Sequence, residues 1–282
     1  MTYILGILGH PLDHSVSVPM HMSVIFKLGI DYVYMSFDVL PENIPHAVNQ
    51  FKKDRIRGFN VTIPYKETIM GHLDGIDEKA LRIGAVNTVN NENGRLKGYN
   101  TDGVGYIRSL KEETGFNPSG KHVLIMGAGG AAKAVAFSLL EAGVDRLVIA
   151  NRTLSRADEL IKHLNEYFPD TPLKSVGTEN INQISHKDIH LVVNTTSVGM
   201  KGTGSIGIDL TDFSMDTVIS DVVYNPVETP LLRMAGKAGL ATHNGIGMLV
   251  HQGAESFKIW TGIDPPVDVM RQAVLRALKE KH

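Results

Sequence analysis

The chain of 282 residues contains no cysteine. That excludes disulfides, thiolate catalysis and cysteine-based metal sites. It also fits a reducing compartment, so a cytoplasmic location is the expectation. Long apolar runs are missing as well. No stretch approaches membrane-spanning length, and Ile4 to Leu8, interrupted by Gly6 and lacking a basic start, is too short for a signal peptide, so no membrane contact is expected. Excess positive charge is absent: 28 Lys and Arg stand against 30 Asp and Glu, a net charge of −2, which leaves no general attraction to nucleic acid. The histidines show no convincing zinc-ligand spacing, so no metal is expected. Internal repeats and low-complexity linkers are also absent. What remains, 43% hydrophobic and 21% charged residues, reads as a globular chain long enough for two domains.

The most informative stretch is KHVLIMGAGGAAK at 121–133. An apolar run, Val123 to Met126, ends at Gly127-Ala128-Gly129-Gly130-Ala131-Ala132, and a small-residue helical pattern follows through Leu140 to a stop at Gly143. This is strand, tight glycine turn and helix. The glycines allow close approach to a pyrophosphate, and the first N–H groups of the helix face that anion. A second strand, Leu147 to Ala150, follows at the expected distance. NAD-binding domains usually place Asp or Glu after that strand, to accept from the ribose hydroxyls. Here the chain reads Asn151-Arg152-Thr153 and then Arg156. No carboxylate repels a 2′-phosphate, and two guanidinium forks and a hydroxyl are available to hold one. The expected cofactor is therefore NADP; the plainer alternative is a solvated helix start.

Taken in order, residues 3–9 read as a buried strand, followed by a polar loop and a helix ending at Gly29, with Ser17 as N-cap and Pro19 in the first turn. Tyr32 to Val39 reads as a strand, Asn43 to Asp54 as a helix and Gly58 to Ile63 as a strand, with a further helix opening near Lys66. This order suggests a small open α/β sheet. Val86 to Asn90 and Leu96 to Tyr99 flank Asn93-Gly94, a strong hairpin signal. From Lys121 onward the short apolar strands Leu191 to Asn194, Val218 to Val222 and Leu240 to His243 alternate with helices at Ala157 to Tyr167 and Leu231 to Ala238. They fit a six-stranded doubly wound sheet. Two helices, GIGMLVHQGAESFKIWTG and one near Val267 to Leu278, have no strand left to cover.

Ligands of open α/β sheets sit beyond the carboxyl ends of strands. Polar residues there in the first half are Ser15, Ser17, Asn60, Thr62, Lys66, Asn87 and Asp102. Such a set suits a small polyhydroxylated ligand bearing a carboxylate rather than an apolar one. Singly, each has a plain alternative: Ser17 as a cap, Asn87 and Asp102 as turn-fixing residues, Lys66 as an exposed lysine. Hydride transfer to a ketone builds negative charge on its oxygen, and a nearby proton donor lowers that barrier. Lys66 is the best candidate, with Asp102 to orient it; His10, His14, His21 and His251 are rivals.

These residues resemble the shikimate dehydrogenase family, with its quinate/shikimate dehydrogenase relatives. The resemblance spans nearly the whole chain, through GHPLDHSVS, NVTIPYKE, GAVNTV, GYNTDGVG, GAGGAAKA, NRTLSRA, NTTSVGM, DVVYNPVETPLL and GIGMLVHQGAESFKIWTG. It implies that Lys66 and Asp102 are the catalytic pair. Ser15, Ser17, Thr62, Asn87, Tyr224 and Gln252 would bind substrate carboxylate and hydroxyls, with Asn60 in the same motif. Gly127, Ala128, Gly129, Gly130 and Ala131 would hold the pyrophosphate, and Asn151, Arg152, Thr153 and Arg156 the 2′-phosphate. Thr195, Thr196, Gly199, Val222, Gly245 and Met248 would line the nicotinamide side. The implied fold is an N-terminal open α/β catalytic domain, 1–102 with C-terminal helices 246–282 returning to it, and a Rossmann NADP-binding domain, 103–245. The implied reaction is reversible NADP-dependent reduction of 3-dehydroshikimate to shikimate in aromatic amino-acid (chorismate) biosynthesis. The partner is that small molecule, and a homodimer is left open.

The chain departs from the family pattern in places. Val18 holds the usual proline position, with proline moved to 19. Met22 replaces a polar residue while His21 stays in register, and Gly253 replaces an alanine after Gln252, a change that loosens a helix by about 1 kcal/mol. Two other readings are carried forward: preference for quinate, whose extra hydroxyl needs room beside Ser17, and an NADPH-binding sensor without turnover.

Overall fold

A computed structural model describes residues 2–53, 56–204 and 206–280. The expected helix end at Asp54 and the expected domain ends at Met1 and His282 lie outside the described residues. The chain divides into two compact units, Met1–Gly105 with Val250–His282, and Tyr106–Leu249.

The first unit runs β1 (Tyr3–Gly9), α1 (Ser17–Leu28), β2 (Tyr32–Asp38), α2 (Ile44–Lys53), β3 (Ile56–Val61), β4 (Gly75–Ile76), α3 (Glu78–Ile83), β5 (Thr88–Glu92) and β6 (Arg95–Tyr99). Its strands form one sheet in the order β2-β1-β3-β5-β6-β4. β1 is parallel to β2 and β3, whereas β5 is antiparallel to β3 and β6. The Asn93-Gly94 turn has φ values of 56° and 89°. Both central residues are left-handed, as a two-residue turn that follows the strand twist requires. α2 presents Ile44, Val48 and Phe51 on one face to Leu8, Phe59 and Val89 of the sheet.

α4 (Asp102–Thr114) starts in the first unit and ends in the second. The second unit continues with β7 (His122–Met126), α5 (Gly130–Glu141), β8 (Arg146–Asn151), α6 (Leu154–Asn165), β9 (Leu173–Gly177), β10 (Leu191–Asn194), β11 (Val218–Asp221), α7 (Pro230–Lys237) and β12 (Ala241–His243). Its sheet is wholly parallel in the order β12-β11-β10-β7-β8-β9, so chain direction across the sheet reverses between β7 and β10. This is the doubly wound arrangement. β7 and β10 are near-continuous apolar runs because helices cover both faces of such a sheet.

α8 (Gly245–Thr261) and α9 (Val267–Glu280) end the chain. The part of α8 beyond Val250 and all of α9 belong to the first unit. Trp260 anchors α8 there: it is 1% exposed, and its indole N–H donates to the Val89 carbonyl at 2.9 Å. Gly58 makes this approach feasible, since a Cβ on it would lie 2.2 Å from the indole. Gly253 acts similarly against α1, where a Cβ would stand 2.4 Å from Met20 Cε, and α8 runs unbroken through it.

Several local expectations change. Ser17 is the first residue of α1 rather than its cap; Val16 occupies the cap, and the Ser17 N–H donates to the Ser15 hydroxyl at 3.2 Å. Pro19 is then the third helical residue, whose N–H has no intrahelical partner to lose. Met22 accepts at its sulfur from the Tyr34 N–H, 3.2 Å. The helix expected near Lys66 is a turn followed by a short 3-10 segment, Thr68–His72. β4 and α3 had no sequence reading, although Asp77 caps α3 and Gly84 ends it with φ 74°.

His21 lies at the centre of the first unit, 0% exposed and stacked on Tyr34 with ring centroids 4.3 Å apart. Neither ring nitrogen has a hydrogen-bond partner, and burial pushes its pKa from 6.5 down to about 3. The unfolded chain therefore binds a proton below pH 6.5 that the folded chain refuses. The stability linked to this residue is lost as pH falls through that window. His21→Phe is expected to flatten the acid-side decline of Tm between pH 6.5 and about 3 in thermal unfolding; an unchanged decline would show that other groups govern it.

Candidate active site

In the first unit, Lys66 lies in the turn after β3. The turn is held on both sides: Val86 N–H donates to the Lys66 carbonyl at 2.7 Å, and the neighbouring Tyr65 hydroxyl donates to Val39 O at 2.5 Å. Lys66 Nζ then meets Asp102 Oδ2 at 2.5 Å, with the two side chains 15% and 5% exposed. Asp102 is the first residue of α4, where a carboxylate faces the positive end of the helix. Its position is set by Asn100, which accepts from the Asp102 N–H at 3.1 Å and donates to Ala85 O at 2.9 Å.

Asn87 completes the group, and its orientation follows from donor and acceptor roles. The Thr101 backbone N–H donates to Asn87 Oδ1 at 2.8 Å, a position only an oxygen can take. The amide nitrogen is thereby directed to Asp102 Oδ1, 2.9 Å, and Gln252 Oε1, 3.2 Å. Both Asp102 oxygens therefore accept, one from an ammonium and one from an amide. Ser15 and Ser17 follow β1, Thr62 follows β3, Asp102 follows β6 and Asn87 precedes the antiparallel β5, so all five lie toward one edge of the sheet. Gly9 is needed beside them, since a Cβ there would come within 2.4 Å of the Thr62 methyl. Asn60, by contrast, is 6% exposed and wholly engaged with protein partners.

In the second unit, Gly127 ends β7 with φ 113°, and Gly129 precedes α5 without a side-chain cap. The first-turn N–H groups at Gly130 and Ala131 thus have no side-chain acceptor from the cap position, and nothing lies within 4 Å of where a Gly129 Cβ would be. The neighbouring strand β10 leads into Thr195, whose N–H and hydroxyl both donate to Met126 O, at 2.9 and 2.7 Å. A Cβ on Gly127 would lie 2.5 Å from Thr195 Oγ1 and 3.1 Å from the Thr196 methyl. Gly127, Thr195 and Thr196 thus meet where the strand order reverses, the usual nucleotide position in this topology. After β8, Asn151 donates to Thr153 O at 2.8 Å, and Arg152 and Arg156 are exposed. An open helix N-terminus, two exposed guanidinium groups and no carboxylate in the Asn151–Arg156 turn fit a dinucleotide carrying a 2′-phosphate. Gly245 opens α8 against Val222, whose carbonyl a Cβ would approach to 2.2 Å; Met248 is buried, and burial pushes the Tyr224 phenol up to about 12.

Sequence reasoning missed Asn194 and Asp221 at the ends of β10 and β11. Asn194 donates to Val198 O at 3.0 Å and Asp221 Oδ1 at 2.9 Å, and its oxygen accepts from Thr196 N–H and hydroxyl. Thr229 donates to Asp221 Oδ2 at 2.7 Å. This ties the turn carrying Thr195, Thr196 and Gly199 to the loop after β11. The signal was available in NTTSVGM and DVVYNPVET, where each polar residue ends an apolar strand.

Comparison with known proteins points to one family. Residues 7–89 match the model of the shikimate dehydrogenase substrate binding domain, residues 109–197 that of shikimate / quinate 5-dehydrogenase, and residues 245–275 that of the shikimate 5'-dehydrogenase C-terminal domain. A shikimate dehydrogenase (NADP(+)) of Methanopyrus kandleri is 45% identical over 99% of this chain and 97% of its own. The chain belongs to the shikimate dehydrogenase family. Two solved structures extend the likeness to the fold. A shikimate dehydrogenase in complex with NADP+ superposes with TM-score 0.91 at 41% identity, covering 98% of this chain and 96% of the other. The Thermus thermophilus shikimate 5-dehydrogenase, in complex with NADP(H) and shikimate, gives 0.86 at 37% identity, covering 98% and 100%. The fold is therefore the family's: an N-terminal α/β domain and a Rossmann domain.

Within this shikimate dehydrogenase family member, Asp221 offers a pH test. It is 1% exposed, and burial pushes its pKa from 3.8 up to about 6, against hydrogen bonds from Thr229, Val223 N–H and Asn194. A raised acid is protonated more readily folded than unfolded. Its contribution is present below pH 3.8 and lost as pH rises through 6. Asp221→Asn is expected to remove that loss, so the gap in Tm between variant and parent should widen in the variant's favour from pH 4 to pH 6. A gap independent of pH would show that Asp221 does not titrate there.

Proposed function

We propose that this protein catalyses the reversible NADP-dependent reduction of 3-dehydroshikimate to shikimate. The observation that carries the reading is the Lys66–Asp102 contact at 2.5 Å, nearly closed to water and bordered by uncharged polar groups. In this reading, residues 1–102 with 246–282 form the substrate-binding and catalytic domain, and 103–245 the NADP-binding domain. Gly127 to Ala131 hold the pyrophosphate. Asn151, Arg152, Thr153 and Arg156 hold the 2′-phosphate, and Thr195, Thr196, Gly199, Val222, Gly245 and Met248 border the nicotinamide. The cofactor, when bound, supplies the hydride.

The chain's own residues supply the rest. Lys66 Nζ carries three N–H donors, and one is engaged by Asp102. A remaining one donates to the ketone oxygen of 3-dehydroshikimate and yields its proton as charge builds there; in the reverse direction the neutral amine accepts it. Asp102 fixes the ammonium and, with Asn87 and Gln252, binds substrate hydroxyls. Ser15 and Ser17 hydroxyls receive the carboxylate, with Thr62 in the same unit beside them. A role in chorismate biosynthesis in the cytoplasm accords with this chemistry. A sensor that binds NADPH without turnover has no use for the Lys66–Asp102 pair. Quinate remains the competing substrate, because the model matched over residues 109–197 covers both dehydrogenases.

Initial rates followed at 340 nm, with shikimate and quinate each against NADP and NAD, test the reading. Shikimate with NADP is expected to give the highest kcat/KM; absence of turnover in all four pairs by folded protein would overturn it. Lys66→Ala is expected to lower kcat by roughly 10²–10⁴ while leaving the Kd for NADPH within twofold, about the error of such a comparison. Replacing Arg152 and Arg156 together by Ala should raise KM for NADP by about tenfold or more and leave KM for NAD nearly unchanged, consistent with loss of charge-assisted phosphate contacts. Equal effects on both cofactors would remove the arginines from that role.

A further inference from the structure

Behind Asn87 lies a closed hydrogen-bonded group made by residues that the substrate site does not use. Ser256 stands one helical turn after Gln252 on α8 and is 0% exposed. Its hydroxyl lies 2.7 Å from Thr88 Oγ1, 3.2 Å from Thr101 Oγ1, 2.9 Å from Asn60 Nδ2 and 2.9 Å from Gln252 O, and its single proton serves one of these oxygens at a time. When it is given to Thr88 Oγ1, the Thr88 hydroxyl donates onward to Asn87 Oδ1 at 3.0 Å; the Thr101 hydroxyl lies 3.2 Å from the same oxygen.

The amide orientations at the two ends of this group are fixed. Asn60 Nδ2 faces the Asn87 backbone carbonyl at 3.2 Å, an acceptor only, so its oxygen is left for the Tyr34 hydroxyl, 2.8 Å. The Thr101 N–H, a donor only, holds Asn87 Oδ1. Between these fixed points Ser256 is the one side chain among the described residues that touches Asn60, Thr88 and Thr101 together. Without its oxygen, Thr88 and Thr101 would turn their hydroxyls to new partners, and a second arrangement of the Asn87 amide would compete with the first. In a buried site a half-satisfied polar group costs more than the loss of one bond.

We propose that Ser256 is a positioning residue, acting through Thr88 and Thr101 to keep the Asn87 amide nitrogen on Asp102, with Asn60 and Tyr34 as the outer part of the same device. It rests on the reading of Lys66 and Asp102 as the acid–base pair. Asn60 then serves Asn87 from behind, with its own amide already occupied, rather than touching substrate. Asp102 has Lys66 as its one ion pair among the described residues, so the Asn87 N–H is its other strong donor. The phenol of Tyr34, raised well above its ordinary range by burial, stays protonated and does not titrate into this group.

The test compares Ser256→Ala, Ser256→Thr and Thr88→Val in the full-length enzyme. Ser256→Ala is expected to lower kcat about tenfold, the loss that one to two net hydrogen bonds represent, with the NADPH Kd unchanged. kcat/KM for 3-dehydroshikimate should fall by the same factor, because the lost orientation acts on the transition state and not on the cofactor. Ser256→Thr keeps the hydroxyl and should restore both, and Thr88→Val should reproduce both losses. A purely structural role would lower Tm and leave kcat and kcat/KM of the folded enzyme in place; that result overturns the proposal. The side-chain amide resonances of Asn87 give a readout free of activity: they should shift in Ser256→Ala and Thr88→Val and return in Ser256→Thr, and unmoved resonances refute the device. Wild-type enzyme that fails to turn over 3-dehydroshikimate refutes the functional reading instead, while the amide resonances still decide the role of Ser256.

Discussion

A lysine and an aspartate taken largely out of water are tolerable only if every charge meets a partner. The Lys66–Asp102 contact imposes that condition on its surroundings. Desolvation costs more than the attraction returns unless the second carboxylate oxygen is also satisfied, and Asn87 satisfies it. The amide of Asn87 must then face one way, which requires an acceptor-only site at Asp102 and a donor-only site at the Thr101 N–H. From that requirement follow the Asn-Thr-Asp order that opens α4, the polar interior facing β5, and the return of α8 to the first unit, where it carries Gln252 and Ser256 inside. Trp260 on Gly58 is the apolar counterpart: it fixes the same helix by packing, and its indole N–H keeps β5 in place beside it.

The second unit solves a different problem with the same economy of groups. An anion-binding helix N-terminus must remain uncapped by its own side chains, and a glycine at the cap position leaves it so. An open turn of this kind needs its neighbours fixed. The threonine turn after β10 is tied to Met126 on one side and, through Asn194 and Asp221, to the loop after β11 on the other. The acid at the centre of that link is harder to ionise than a free carboxyl, since burial outweighs its three donors. Rigid turns beside an open helix end are the division of labour that a nucleotide site requires.

Much of this was legible along the chain. The glycine turn, the arginines after β8, the Asn93-Gly94 hairpin and the polar residues at strand ends are local features, and local features survive translation from sequence to structure. What escaped has physical reasons. β4 is two residues long and α3 six, too short to show a period. The segment after Lys66 lacks the bonds of a helix because the Lys66 carbonyl is already taken by Val86. Ser17 loses its capping role because the helix starts one residue earlier: Val16 O accepts from the Met20 N–H, so Ser17 is already helical. Ser256 was hidden in an amphipathic helix, where a serine on the inner face reads as a tolerated small residue, although its spacing of four from Gln252 placed both on one side.

By itself the sequence determined the type of the longer elements, the doubly wound order, the identity of the polar groups and the absence of a carboxylate directly after β8, because each depends on near neighbours or on composition. Tertiary structure alone decided which of those groups meet. Lys66 and Asp102 are 36 residues apart, and Asn60 and Ser256 are 196 apart. No periodicity encodes such distances. They come from strand order, from glycines that admit an indole or a helix at close range, and from the requirement that a buried donor find an acceptor wherever the chain brings one.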